Sequence, residues 1–225
     1  MPGIASRKPA VIGVVVALLG PVLVVGARSA GLFPKVLLAE RIGTAIGLWA
    51  ITVLLGLLVV FAERKPLSSI GFSRPSWVAV LLGVGGAIVG VLLFPICAAL
   101  LKAAGIAYPA MGAMATMAVL PLGARLIILI SAAVTEETIY RGYAITRLGA
   151  LTGSRWIAAL ISLAVFVALH LPAWGLAHLL YVTSVGGLLT VLFVWRKNLW
   201  TNIIAHGLID AVPLLLLPML GVRGS

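Results

Sequence analysis

Apolar residues fill long runs of this chain, separated by short clusters of Lys, Arg, Gly and Pro. The first run, 10–26, follows Arg7-Lys8 and reads as a spanning helix kinked near Pro21. Val25-Gly26-Ala27 would pass as a signal cleavage site, but further apolar runs follow rather than a soluble domain. After a loop over 27–41, the second run covers 42–62 and is stopped by Glu63-Arg64-Lys65-Pro66. A turn-rich connector, 67–75, leads to a third run at 77–101, which opens on an interfacial Trp. Runs at 124–148, 156–171, 175–195 and 200–220 follow. Between them, 102–123 is irregular, with Met111, Met114 and Met117 at helical spacing. These suit adaptable packing, or a flexible cover over an apolar substrate.

A spanning helix takes about 20 apolar residues, so the length allows roughly seven or eight spans. No strand pattern emerges. The predicted fold is an all-α, polytopic integral membrane helix bundle of one domain, 1–225. Transmembrane helices fill 1–123, and a motif-bearing core covers about 124–217.

Composition sharpens this picture. The chain is 63% hydrophobic and 9% charged, with mean hydropathy +1.24, whereas soluble domains carry about 25% charged residues. The net charge of +11 comes from Lys and Arg lying between apolar runs. That is the pattern of loop residues that set topology, with the N-terminus inside for seven spans. It excludes nucleic acid as a partner and leaves the lipid bilayer; in a prokaryote this would be the plasma or inner membrane. Cys97 is alone, so there is neither an intramolecular disulfide nor a cysteine metal cluster. Gly83, Gly85, Gly86 and Gly90 have no preceding strand and no following Lys-Ser/Thr, so they read as helix packing, not a nucleotide loop.

Polar residues inside apolar runs carry the chemistry. Two of the five acidic residues are adjacent, Glu136 and Glu137, within the fourth run. A charge there costs roughly 2.5–3.5 kcal/mol on insertion scales. Glu137 and Arg141 are four apart, acid first, and can pair. Glu136 is rotated about 100° away and keeps its carboxylate free, which suits general acid/base work. An ion pair that only staples helices would need a single Glu. His170 follows Phe166 by one turn near the end of the fifth run. Asn202, His206 and Asp210 recur at one-turn spacing on the last. Intramembrane ionisable groups face bundle interiors or wet cavities and pair with one another, which predicts one shared site. His178, across Pro172 from His170, reads as an interfacial residue, with a substrate or metal contact as the other possibility. There is no His-Glu-x-x-His helix, no Gly-x-Ser-x-Gly and no pair of aspartates.

Taken together, Glu136-Glu137 with Arg141, Phe166 with His170, and His206 with Asp210 resemble the three motifs of the CAAX-protease and bacteriocin-processing family of glutamic intramembrane proteases. The resemblance covers about 124–217 and implies an endopeptidase acting on a membrane-associated, possibly lipidated, peptide or protein. It implies that Glu136 and His170 activate water, that His206 and residue 210 stabilise the oxyanion, and that Glu137 and Arg141 hold the helix. An ionised Asp cannot donate to an oxyanion, so Asp210 would be protonated or orient His206, and Asn202 could supply an amide instead. No cofactor or metal is expected. The alternatives are a zinc hydrolase using Glu136, His170 and His206 as ligands, whose residue types suit the metal, and a non-enzymatic immunity or scaffold protein.

Overall fold

The computed structural model describes residues 4–107, 117 and 119–220, with side chains from residue 7 onward. All regular elements in these residues are helical. Helix α1 spans Ile4–Ser29, and α2 spans Leu37–Leu57 and continues through a wide turn, Leu58–Ala62. After a short 3₁₀ turn, Leu67–Ile70, helix α3 spans Trp77–Ala103. Ser76 caps α3 by accepting a hydrogen bond from the Ala79 amide. Helix α4, Leu122–Glu136, runs through a wide π-helical stretch, Glu137–Ile145, into α5, Thr146–Thr152. Helix α6, Arg155–Arg196, is broken at Gly175, and α7, Leu199–Ala211, continues through Val212–Leu216 into α8, Leu217–Met219.

Five described helices are long and apolar enough to cross a membrane: Arg7–Ser29, Leu37–Ala62, Trp77–Ala103, Arg155–Arg196 and Leu199–Met219. The sequence suggested seven or eight. One reason lies at Gly175, whose positive φ of 73° breaks α6 without ending it, so two expected spans form one 42-residue run. The other is the 122–152 run, which carries Arg125, Glu136, Glu137, Arg141 and Arg147. Its charged part is wrapped in protein: every residue of Glu137–Ile145 is buried. Large apolar side chains elsewhere, such as Trp77, Leu81 and Leu160, stand exposed, as a lipid-facing surface requires.

Small residues set how closely the helices approach. A Cβ added to Gly83 would lie 3.0 Å from the Thr201 carbonyl oxygen, and one on Gly90 would lie 2.4 Å from Ile209 Cδ1. Helix α3 therefore packs directly on α7 through these glycines, while Gly85 faces open space. Gly142 plays the same part within the π-helical stretch: a Cβ there would lie 2.8 Å from the Ile70 carbonyl oxygen. The core around this stretch is apolar, with Leu55, Val59, Ile70, Ile139 and Tyr143 fully buried. Met117 is buried, whereas Met111 and Met114 lie outside the described residues.

Candidate active site

The two adjacent glutamates end in different surroundings because successive helical residues point about 100° apart. Glu137 is fully buried and sits at the centre of a network. Arg141 Nη1 donates to Glu137 Oε1 at 2.9 Å, and His206 Nδ1 lies 2.9 Å from the same oxygen. Asn202 Nδ2 donates to Glu137 Oε2 at 3.0 Å. Arg141 also donates to the Gly186 carbonyl at 3.1 Å and lies over the Phe166 ring, 4.3 Å from its centroid. The carboxylate, guanidinium, amide and imidazole are thus held together by α4, its π-helical extension, α6 and α7.

Glu136 takes no part in this network. Its carboxylate accepts no hydrogen bond among the described residues and lines a cavity of about 240 Å³. His170, His206 and Asp210 line the same cavity. His170 Nδ1 donates to the Phe166 carbonyl at 2.7 Å. In a neutral ring, that leaves the lone pair on Nε2. Phe166 itself, 4.5 Å from the His170 centroid and 5.2 Å from that of Tyr140, is the platform between Arg141 and the cavity. His206 Nε2 faces Asp210 Oδ2 at 3.5 Å, so both ring nitrogens of His206 look onto carboxylates.

Two expectations change. Asn202 was a candidate oxyanion donor, but its Nδ2 serves Glu137 and the Leu189 carbonyl at 2.7 Å. Asn202 is therefore spent on holding Glu137 in place. His178 was read as interfacial, with a substrate or metal contact as the other possibility; it is 5% exposed, lines the cavity and stacks on Trp174 with ring centroids 4.7 Å apart. The break at Gly175 turns the second arm of α6 inward, which spacing from His170 does not reveal.

Two groups of polar residues were not anticipated. Glu63, read as part of a stop signal, forms a buried pair with Arg147 at 2.7 Å and accepts from the Tyr143 hydroxyl at 2.7 Å. Arg147 also donates to Ser69 Oγ at 2.8 Å. A faint signal existed: Arg147 sits in an apolar run with no acidic residue within one turn. At the other end of the cavity stand Arg28 and Arg41, which the sequence suggested were loop charges. As to a metal, no three His, Cys, Asp or Glu side chains converge as a metal-holding group among the described residues.

An all-helical membrane protein with a largely apolar cavity that holds a few ionisable side chains between its helices is the class these features define. Residues 118–212 match the family described as Type II CAAX prenyl endopeptidase Rce1-like, in agreement with the resemblance carried by the three motifs. That segment contains Glu136, Glu137, Arg141, Phe166, His170, Asn202, His206 and Asp210. No curated protein and no solved structure matches the chain.

Proposed function

We propose that this protein is a glutamic-type intramembrane endopeptidase that hydrolyses a peptide bond in a membrane-associated substrate, prenylated or not, without a metal. The observation that carries the proposal is the division of labour between neighbours: Glu137 is saturated by Arg141, Asn202 and His206, while Glu136 faces the cavity beside His170. A base must reach the water whose proton it takes, and of the two glutamates Glu136 lines the space where water and peptide can enter.

In this reading Glu136 accepts a proton from the attacking water, and His170 orients that water through Nε2. The oxygen adds to the scissile carbonyl, and the developing oxyanion is met by His206. With protons on both nitrogens, His206 donates from Nδ1 to Glu137 and from Nε2 to the oxyanion. Asp210 then acts as a positioning residue, supplying negative charge 3.5 Å from Nε2. The charges of Glu137, Arg141, Asp210 and a doubly protonated His206 cancel, which suits a site poor in solvent. Glu136 returns its proton to the leaving amine as the intermediate collapses.

A zinc site would need Glu136, His170 and His206 to converge. What supports the metal-free reading is that no three His, Cys, Asp or Glu side chains are grouped to hold a metal among the described residues. The experiment is cleavage of a membrane-anchored peptide library by purified protein in lipid nanodiscs, with a chelator titration. Cleavage that survives chelation supports the glutamic reading. Loss on chelation with recovery on adding zinc would replace it with a metalloprotease, and no cleavage with or without metal would favour a non-enzymatic role.

A further inference from the structure

The cavity is charged at both ends, with opposite signs. Glu136 and Asp210 stand at one end, and Arg28 and Arg41 line the other. Two contacts set the scale between them. Trp49 of α2 donates to Ser131 Oγ of α4 at 3.0 Å, and Glu63, just beyond α2, meets Tyr143 and Arg147 beyond α4. The two helices therefore run parallel. At 1.5 Å per residue, Arg41 begins about 12 Å to one side of the Trp49 level and Glu136 lies about 7 Å to the other. Arg41, Thr44, Ala45 and Leu48 form a single stripe of α2 along the cavity wall.

Among the described residues no carboxylate forms an ion pair with Arg41, and its neighbour Glu40 turns to Arg28. Of the five acidic residues, Glu40 is bonded to Arg28, Glu63 to Arg147 and Glu137 to Arg141, and Glu136 and Asp210 occupy the far end. The Arg41 Nε is buried and has no hydrogen-bond partner among the described residues. A buried cationic donor left unsatisfied is costly, and a guanidinium binds oxyanions through its forked N–H groups. Both arginines also lie outside the segment matched by the protease family.

We propose that Arg41, supported by Arg28, is an oxyanion-binding subsite of the same cavity, which takes a carboxylate of the substrate or the phosphate of a lipid headgroup. The proposal rests on the peptidase reading of the Glu136 end. It makes α1 and α2 the part of the molecule that selects substrates, holding an anion while the chain toward Glu136 lies in the apolar middle of the cavity. An extended peptide covers about 3.3 Å per residue, so only a few residues separate the two ends.

The test is binding, in the Glu136→Gln background and in phosphatidylcholine nanodiscs, of one apolar membrane-anchored peptide made with a free C-terminal carboxylate and as its amide. We expect the acid to bind at least about tenfold more tightly, Arg41→Gln to abolish that preference and Arg41→Lys to restore part of it. A second arm replaces phosphatidylcholine with phosphatidylglycerol. Arg41-dependent retention of that lipid, with loss of the acid preference, identifies phosphate as the oxyanion. Equal binding of acid and amide together with no Arg41-dependent lipid retention overturns the subsite, as does a preference untouched by Arg41→Gln. The two readings fail separately: a clear acid preference in a protein that cuts no peptide removes the peptidase, whereas equal cleavage of acid and amide, with no lipid retained, removes the subsite.

Discussion

Two buried glutamate–arginine pairs lie along the same helical run, and they make opposite use of it. Glu137–Arg141 and Glu63–Arg147 have similar separations, 2.9 and 2.7 Å, and their side chains are at most 5% exposed. The Glu63 pair is closed off by Tyr143 and Ser69 and joins the end of α2 to α5 and the 3₁₀ turn. The Glu137 pair is surrounded by Asn202, His206 and Phe166, and next to it a second glutamate opens on a cavity. Burial and pairing are common to both, so neither marks a reactive centre. What distinguishes the second region is the carboxylate left out of the pair and the space in front of it.

Apart from Glu136 itself, the largest effect that would sharpen this contrast is at His206. His206→Ala should lower turnover by about 10²–10³, the usual worth of an oxyanion donor, while Glu63→Gln leaves the turnover of correctly folded molecules intact. A matched loss of turnover in both variants, measured per folded molecule, would erase the distinction.

On stability the two pairs should behave alike. Removing one partner of a buried pair costs about 3–5 kcal/mol because the other charge is stranded. Glu137→Gln and Glu63→Gln should both reduce the folded yield and the unfolding temperature. A Glu137→Gln protein of native stability would show that Arg141 finds another partner.

The smallest expected effect is at Tyr143, whose hydroxyl donates to Glu63. Tyr143→Phe should cost about 1.5–3 kcal/mol, as for a hydrogen bond to a charged group, and leave turnover unchanged. Reduced turnover at unchanged stability would mean that the Glu63 region reaches the cavity.

The legible parts of this molecule were those encoded at one-turn spacing. Glu137 and Arg141 are four residues apart on one helix, so the sequence could propose their pairing, and the stripe Asn202–His206–Asp210 announced a polar face. Periodicity did not show what those faces meet. Glu63 and Arg147 are 84 residues apart in the chain, and no local pattern joins them. Asn202 was placed in the right group with the wrong partner, because the orientation of its amide depends on Glu137 and the Leu189 carbonyl across a helix interface. Spacing alone could not choose between an interfacial place and a contact in the site for His178, because a single glycine redirects the helix that carries it. Arg28 and Arg41 looked like ordinary flanking charges until the fold set them at the end of a cavity.

The central claim, that Glu136 is the working carboxylate and Glu137 the structural one, is tested most directly by Glu136→Gln. Its turnover of a membrane-anchored peptide should be measured alongside its unfolding temperature in the same nanodiscs. The account predicts a loss of about 10²–10⁴-fold, the range for a general base, with an unfolding temperature equal to that of the unsubstituted protein. Retained turnover, or a loss that only follows unfolding, would contradict it.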